Sequence, residues 1–390
     1  MDDSAVPSGA RSGADRPAGR ATRGGQRILF TESSRNVGGQ ELQLLAQMTA
    51  LEAAGVSTCL ACLPGGRLDA VASSRGVTPV PVPFRNSLHP PSILRLARLI
   101  REWRPEIVVS HSGHDANTAA IAARLVRPRP VLVRARTYQH GLPSAFPYNV
   151  AADFTLVPSV ELRAQLLANP RIRPARIHVL YPGIDFAALD RQAAEPLPES
   201  VGAWLATHPG PLIVHGAMLR PEKGHHFFLD VLASVRSRFP DVRYVATGEG
   251  EMREALIARA AALGLADHVL FPGVVTPLAP VIARADLAVL PSLYEPLGMF
   301  QSEALALGVP VVASRTGGIP ETVEDGVTGW LAPPGDHTAW VAAVAEALSD
   351  PAEAGSRAQR GRDDVRARFA IDANVAALLR LADAARRRRA

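Results

Sequence analysis

The chain has 390 residues, of which 47% are hydrophobic and 20% charged, too many for one ordinary core and suited to two domains of roughly 150–200 residues each. Forty-two Lys and Arg against 37 Asp and Glu leave a formal charge of +5 with His neutral. That excess favours nucleotides, phosphates or a lipid surface as partners, while the lack of a stacking motif with interleaved aromatics argues against nucleic acid. Two cysteines exclude a disulfide scaffold, and no run of ~20 apolar residues offers a membrane-spanning helix.

Residues 1–26 are rich in Gly, Ala, Ser, Pro and Arg and lack an apolar segment. They read as a disordered leader, not a secretory signal, so a cytoplasmic protein is expected. From Arg27 the pattern alternates. Arg27–Phe30 is a strand, the turn Asn36–Gly39 follows, and Leu42, Leu45, Ala46 and Met48 mark a helix that Gly55 ends. Val56–Leu63 is a strand carrying Cys59 and Cys62; strand residues three apart point to opposite faces, so a CxxC pair here reads as two core cysteines. Ile93–Trp103 is a helix, Ile107–Ser110 a strand, Ala116–Leu125 a helix, and Val131–Arg134, Phe154–Val157 and His178–Leu180 are strands. This gives a first domain over 27–190. Residues 191–211, with Pro196, Pro198, Pro209 and Pro211, suit a linker.

The alternation then restarts. Leu212–His215, Arg243–Thr247, Val269–Phe271, Leu287–Leu290 and Val309–Ala313 are strands, separated by the helices His225–Arg238, Glu251–Leu263 and Met299–Leu307. A second domain is expected over 212–371, and a final helix over Asp372–Arg386, expected to pack back across the linker on the first domain, leads into an Arg-rich tail within 372–390. Two doubly wound parallel sheets in tandem predict a cleft between the C-terminal ends of their strands.

Leu287–Trp330 is the most informative stretch. A strand leads into Ser292-Leu-Tyr-Glu-Pro-Leu-Gly298 and a helix; a buried strand follows, and Ser314-Arg-Thr-Gly-Gly-Ile-Pro-Glu321 is expected to open another helix. Two helix N-termini side by side would suit a diphosphate. Glu295 and Glu303 would repel phosphates and suit hydroxyl groups, one on a sugar and one on a ribose diol.

This segment resembles the glycosyltransferase family-four type, retaining enzymes with the GT-B fold. The matching residues are Glu295–Glu303, Ala304–Ser314, Gly317-Gly-Ile-Pro-Glu321 and Gly326-Val-Thr-Gly329, within a likeness over about Ile28–Phe369. The resemblance implies that Glu295 contacts donor-sugar hydroxyls, Glu303 the ribose, and amides near Leu297, Gly298 and Met299 the phosphates. Gly216-Ala-Met-Leu-Arg-Pro-Glu-Lys-Gly224 is a second match, where family members place an Arg and a Lys that neutralise the departing diphosphate. Lys223 fits. Many members carry the Arg five residues before the Lys, where this chain has Met218, so Arg220 is the substitute. Charges placed there act where negative charge develops.

In the first half, Gly38 and Gly39 open a helix after the first strand and let backbone approach a ligand; the resemblance turns this loop toward the donor diphosphate. His111 and Asp115, at the end of Ile107–Ser110, resemble a polar pair of some members. Related enzymes direct a histidine at the sugar near the end of the next strand. That position falls on Arg136 or Thr137 here, so His140 is the candidate, with Arg134 and Arg136 on the acceptor side.

The resemblance implies a nucleotide-diphosphate sugar as co-substrate, no cofactor and no metal. It points to a glycan or lipid-linked acceptor in cell-surface polysaccharide or lipopolysaccharide synthesis. The basic helix Ile93–Trp103 and the Arg-rich tail are the candidates for peripheral contact with an anionic membrane. A nucleotide-sugar epimerase on the same fold and a non-catalytic two-lobed sugar-binding protein are the alternatives.

Overall fold

The structure is a computed structural model that describes residues 25–138 and 141–388. The first half runs β1 (Arg27–Glu32), α1 (Gly39–Ala53), β2 (Ser57–Cys62), α2 (Arg67–Ser74), β3 (Val80–Pro81), α3 (Pro90–Trp103), β4 (Ile107–Ser110), α4 (Gly113–Arg124), β5 (Val131–Ala135), β6 (Phe154–Val157), α5 (Val160–Leu167) and β7 (Ile177–Val179). The second half runs α6 (Phe186–Ala193), α7 (Glu199–Thr207), β8 (Leu212–Gly216), α8 (His225–Val235), β9 (Arg243–Thr247), α9 (Arg253–Ala262), β10 (Val269–Gly273), α10 (Ala279–Ile282), β11 (Leu287–Leu290), α11 (Phe300–Ala306), β12 (Val311–Ser314), β13 (Trp330–Ala332), α12 (His337–Ser349), α13 (Pro351–Arg368) and α14 (Ile371–Arg387).

Seven strands form one sheet in the order β3-β2-β1-β4-β5-β6-β7, and six form another in the order β10-β9-β8-β11-β12-β13. Every paired strand is parallel; Ile28 lies between Thr58 and Ile107, and Ile213 between Tyr244 and Leu287. Helices cover both faces, so the central strands carry continuous apolar runs: Ile107, Val108 and Val109 are all buried, as are Leu287–Leu290. This is the GT-B arrangement of two Rossmann-like domains.

Cys59 and Cys62 lie in the apolar layers on the two opposite faces of the first sheet. Burial pushes both thiols up to about 12, so neither forms a reactive thiolate near neutral pH.

α3 buries Leu96, Ala97, Leu99 and Ile100 against its own domain and leaves Arg95, Arg98 and Arg101 outside. The apolar stripe that membrane insertion would require is already covered. Among the described residues no helix is long and apolar enough to cross a membrane.

The proline-rich stretch 191–211 holds α7, whose Val201 is buried beneath the second sheet. Beyond it the chain crosses back. Ile184 and Ala370 form a parallel bridge, with the Ile184 N–H donating to Phe369 O at 2.7 Å. α14 then places Val375, Leu378 and Ala382 in the core of the first domain. At about 1.5–3 kcal/mol for a fully buried Val or Leu side chain, this strap holds the domains together.

Candidate active site

Both sheets reverse their strand order at the centre, between β1 and β4 and between β8 and β11. These switch points are where loops at the C-terminal strand ends diverge and leave a crevice. The two crevices face each other, and a cavity of about 380 Å³ lies between them.

The second-domain wall consists of the loop after β8 and the loop after β11. Gly317 docks the next loop against them: its φ of +53° lies in the left-handed region, and a Cβ there would fall 1.9 Å from Glu295 O. The Gly318 N–H donates to Glu295 O at 3.0 Å, and Thr316 Oγ1 to Leu293 O at 3.1 Å. Buried Gln301 fastens the other side, its Nε2 donating to Leu297 O at 2.7 Å and to Thr322 Oγ1 at 3.0 Å. Gly298 (φ +85°) carries no Cβ because the Gln301 amide occupies that space. Leu297, Gly298 and Met299 thus line the cavity on a backbone held from both sides.

Lys223 closes a short turn (Pro221–Lys223) and reaches the cavity, where its Nζ pairs with Glu295 Oε1. The side chains of the pair are only 22% and 10% exposed, and Ser292 Oγ donates to the same Glu295 oxygen at 3.1 Å. The cation and the carboxylate read separately from the sequence are therefore in direct contact. Beneath their loop the rings of His215 and His225 stack at 3.9 Å, and burial lowers both pKa values, keeping them neutral.

Arg220 does not join them. It precedes the turn in extended conformation, its side chain is 43% exposed, and its nearest carboxylate is Glu222 at 3.9 Å. The cavity is lined at this point by Met218 instead. Glu303 lies in the first turn of α11, outside the set that lines the cavity with Glu295. The residue is half-buried, and desolvation pushes its pKa up to about 7.

The second helix N-terminus expected after Gly317-Gly318 is absent: only a single tight turn, Ile319–Glu321, forms there. Glu321 instead serves a helix of the other domain. Its carboxylate accepts the N–H groups of Val160 and Glu161 at 2.9 Å each and the Tyr181 hydroxyl at 2.9 Å. Ser159 Oγ accepts from Leu162 N–H at 3.1 Å, so the start of α5 is capped from both domains. Tyr294 adds a second crossing contact, donating to Gln165 Oε1 at 3.2 Å.

On the first-domain wall, Gly38 and Gly39 begin α1 within the cavity lining. The Gly38 N–H donates to Glu41 Oε2 at 2.7 Å, and a Cβ on Gly39 would meet nothing within 4 Å. The space is open toward the cleft. His111 lines the cavity, and its Nδ1 lies 3.3 Å from Thr31 O. A carbonyl only accepts, so Nδ1 carries the proton and Nε2 is the acceptor. Burial lowers the His111 pKa to about 4, leaving the ring neutral.

Asp115 supports His111 from behind and does not line the cavity. It accepts from Thr31 Oγ1 at 2.7 Å, Ser33 Oγ at 3.1 Å and the His111 N–H at 3.1 Å. Burial, and then the charge of Glu32, raise its pKa. Arg134 is buried away from the cleft with its guanidinium 5.3 Å from the Tyr148 ring centre. Arg136 does line the cavity, and its buried Nε has no hydrogen-bond partner. His140 lies outside the described residues.

Several lining residues escape the motif reading. Gln40, Gln43 and Gln47 project from α1 into the cleft. Gln47 Nε2 donates to Asn374 Oδ1 at 2.7 Å, joining α1 to α14. Gln40 Nε2 donates to Glu32 Oε2 at 2.7 Å, and Glu32 also accepts from Ser34 N–H at 2.8 Å and from Ser112 Oγ. The available signal is the 40, 43, 47 spacing, which puts three glutamines on one face of the helix.

The family described as glycosyl transferases group 1 matches residues 202–364, and Glycosyltransferase Family 4 matches residues 37–188. Glycogen synthase of Mycobacterium tuberculosis (strain CDC 1551 / Oshkosh) is 32% identical over 295 residues, covering 71% of this chain and 68% of that protein. A glycosyltransferase from Rickettsia africae ESF-5 superposes with a TM-score of 0.81 at 19% identity, over 93% of this chain and 99% of that one. Anabaena Alr3699/HepE in complex with UDP and glucose superposes with a TM-score of 0.78 at 22% identity, over 92% of this chain and 100% of that one. The two superpositions speak for the fold and the relative for the lineage: this chain belongs to the family-four glycosyltransferases with the GT-B fold.

Proposed function

We propose that this chain transfers a sugar, with retention at the anomeric carbon, from a nucleoside-diphosphate sugar to a glycan or lipid-linked glycan acceptor of the cell surface. The observation that carries the reading is the Lys223–Glu295 pair in the cleft between the two switch points. Breaking the bond between the anomeric carbon and the phosphate oxygen leaves negative charge on the nucleotide and positive charge on the sugar ring. Lys223 neutralises the first, acting where charge develops. Glu295 accepts hydrogen bonds from sugar hydroxyls, and the pair holds both groups in place before the donor enters. Arg220, exposed on the same loop, reaches the diphosphate only if the loop moves, and is a secondary contact.

Backbone N–H groups of Leu297–Met299 and the first turn of α1 at Gly38-Gly39 hold the phosphates from the two walls. Glu303 accepts from the ribose hydroxyls. Across the cleft, His111 offers a neutral acceptor toward the sugar and Arg136 a cation toward the acceptor substrate. Asp115 keeps His111 in place. His140 is assigned to the sugar; Arg134, buried in β5 with its guanidinium over the Tyr148 ring, stands behind that wall and does not reach the acceptor. The donor and acceptor of the related proteins differ, so uridine, adenosine and guanosine diphosphates are the first nucleotides to compare.

The test is thermal shift with each nucleoside diphosphate on wild type, Lys223→Ala and Glu303→Ala, followed by NMR of the anomeric configuration of the product. One nucleotide should stabilise wild type and both variants less. Folded wild type that responds to none of them would remove the donor-site reading, and an inverted product would remove retention.

A further inference from the structure

A second cavity, of about 370 Å³, opens at the opposite edge of the first sheet from the cleft, where β4 and β5 begin. Among the described residues it is lined by Arg101, Arg104, Arg127, Arg129 and Arg386 against a single carboxylate, Glu106. These guanidinium groups arrive from four parts of the chain: the end of α3, the turn into β4, the α4–β5 connection and the end of α14. Buried Pro105 and Pro130 stiffen the two strand entries between them.

The acids present do not balance this charge. Glu106 accepts from Arg386 at 2.5 Å, and Asp153 from Arg129 at 3.0 Å. Among the described residues, Arg101, Arg104 and Arg127 form no ion pair, and Arg127 donates only to the carbonyls of Arg124 and Val126. The basic surface continues outward. The Arg129 pKa is lowered by burial and then by Arg127, and that of Arg176 by burial and then by Arg173, Arg129 and Arg388. The nearest charges to these groups include their own sign.

We propose that this arginine-lined cavity binds a phosphate-bearing anion, at a site separate from the sugar-transfer cleft. Guanidinium forks match phosphate oxygens in bidentate geometry, and several converging on a concave site favour a ligand of charge −2 or greater over a lone carboxylate. The apolar remainder of the lining (Ile100, Val126 and Val131) has no aromatic ring on which a base would stack, which disfavours nucleic acid. The ligand is a soluble phosphate ester or polyphosphate, or the same group presented as a lipid headgroup. α14 connects this site to the cleft: Asn374 lines the cleft and Arg386 this cavity, about 18 Å apart at 1.5 Å per residue.

The probe is inorganic tripolyphosphate, titrated calorimetrically into Lys223→Met, which lacks the cleft's lysine contact to phosphate. One saturable site is expected. Arg104→Gln with Arg127→Gln, both exposed, should weaken it by about tenfold or more through the loss of charge-assisted bonds. Arg95→Gln with Arg98→Gln, on the outer face of α3, removes equal charge and should leave it unchanged. An affinity indifferent to the first pair, or reduced equally by the second, overturns the proposal. Flotation with phosphatidylcholine vesicles, with and without phosphatidylglycerol, separates the two sources. Flotation on anionic vesicles that tripolyphosphate competes away and the first pair abolishes assigns a headgroup; tripolyphosphate binding without flotation assigns a soluble anion. Absence of both overturns the site.

Discussion

The second-domain wall of the cleft is drawn from two nearby loops, with Lys223 on one and Glu295–Met299 on the other. The first-domain wall collects Gly39, His111, Arg136 and Asn374 from distant parts of the chain. On the second-domain side the loops are fixed by their own glycines and by Gln301, so local sequence and local geometry coincide. On the other side key groups are held by partners far away in sequence, as Gln47 is by Asn374 and His111 by Thr31. The contrast teaches that a wall whose residues come in two short runs of sequence carries a readable motif, and one gathered singly from several elements does not.

The sharpest way to break this comparison is at Lys223. If the second-domain wall supplies most of the leaving-group stabilisation, Lys223→Met should lower kcat by about 10²–10³-fold, the usual cost of removing one such donor. Steady-state rates at saturating donor measure it, and a loss under tenfold would shift the burden to Arg220 or Arg136.

Glu303 tests the same wall through stability. Its folded pKa of about 7 lies above the usual 4.5, so its contribution to stability is fully present below about 4.5 and is lost as pH rises through about 7. Glu303→Gln should therefore stabilise the ligand-free protein above pH 8 by up to roughly 3 kcal/mol, with little change below pH 4.5. The same variant should bind nucleotide more weakly. Urea titrations at the two pH values, paired with nucleotide titrations, give both readouts; an equal stabilisation at both pH values would contradict the desolvation account.

Glu321 tests what joins the walls. Glu321→Ala leaves the Val160 and Glu161 N–H groups without their acceptor and should cost about 1–2 kcal/mol, the range of a lost helix cap. Small-angle scattering should show a broader spread of domain orientations, and kcat/KM should fall about tenfold. Unchanged scattering would mean that α14 and the Tyr294–Gln165 contact suffice.

The smallest effect on stability is expected at Gly39→Ala. Nothing lies within 4 Å of the added Cβ, and Ala is better than Gly in a helix by up to about 1 kcal/mol, so the melting temperature should hold or rise. Nucleotide binding should nonetheless weaken, because the methyl occupies the space the ligand backbone contact needs. A variant that binds as well as wild type would take the first turn of α1 out of the donor site.

Legibility followed chemistry at some positions and failed at others for definite reasons. The alternation of apolar strands and helices was readable because both sheet faces are buried, which makes β4, β11 and β12 nearly continuous hydrophobic runs. β3 and β13, with two and three residues, are too short to carry a period. α13 hides differently. Its buried positions are Ala354, Ala358, Gly361 and Val365 in an Arg-rich helix, and small residues register weakly as hydrophobic. Gly361 nevertheless lets α13 approach α11 so closely that a Cβ would fall 2.7 Å from Leu305 Cδ2. In the site, Lys223 and Glu295 were both visible, yet their contact was not, since it depends on how two strand-end loops meet. Arg220 stood in for the family's second cation because the resemblance puts an Arg near it, and its extended backbone before the turn leaves its side chain exposed.

The sequence by itself determined that there are two parallel-sheet domains, where all their strands but β3 and β13 lie, and which second-domain loops carry charged and glycine-rich chemistry. Those properties depend on burial and on turn geometry within a few residues. Only the tertiary structure decided that Glu321 caps a helix of the opposite domain and that five dispersed arginines converge at the base of the first sheet. Each of these pairs groups more than a hundred residues apart or gathers them from several elements, and side-chain charge has no periodicity from which such meetings could be read.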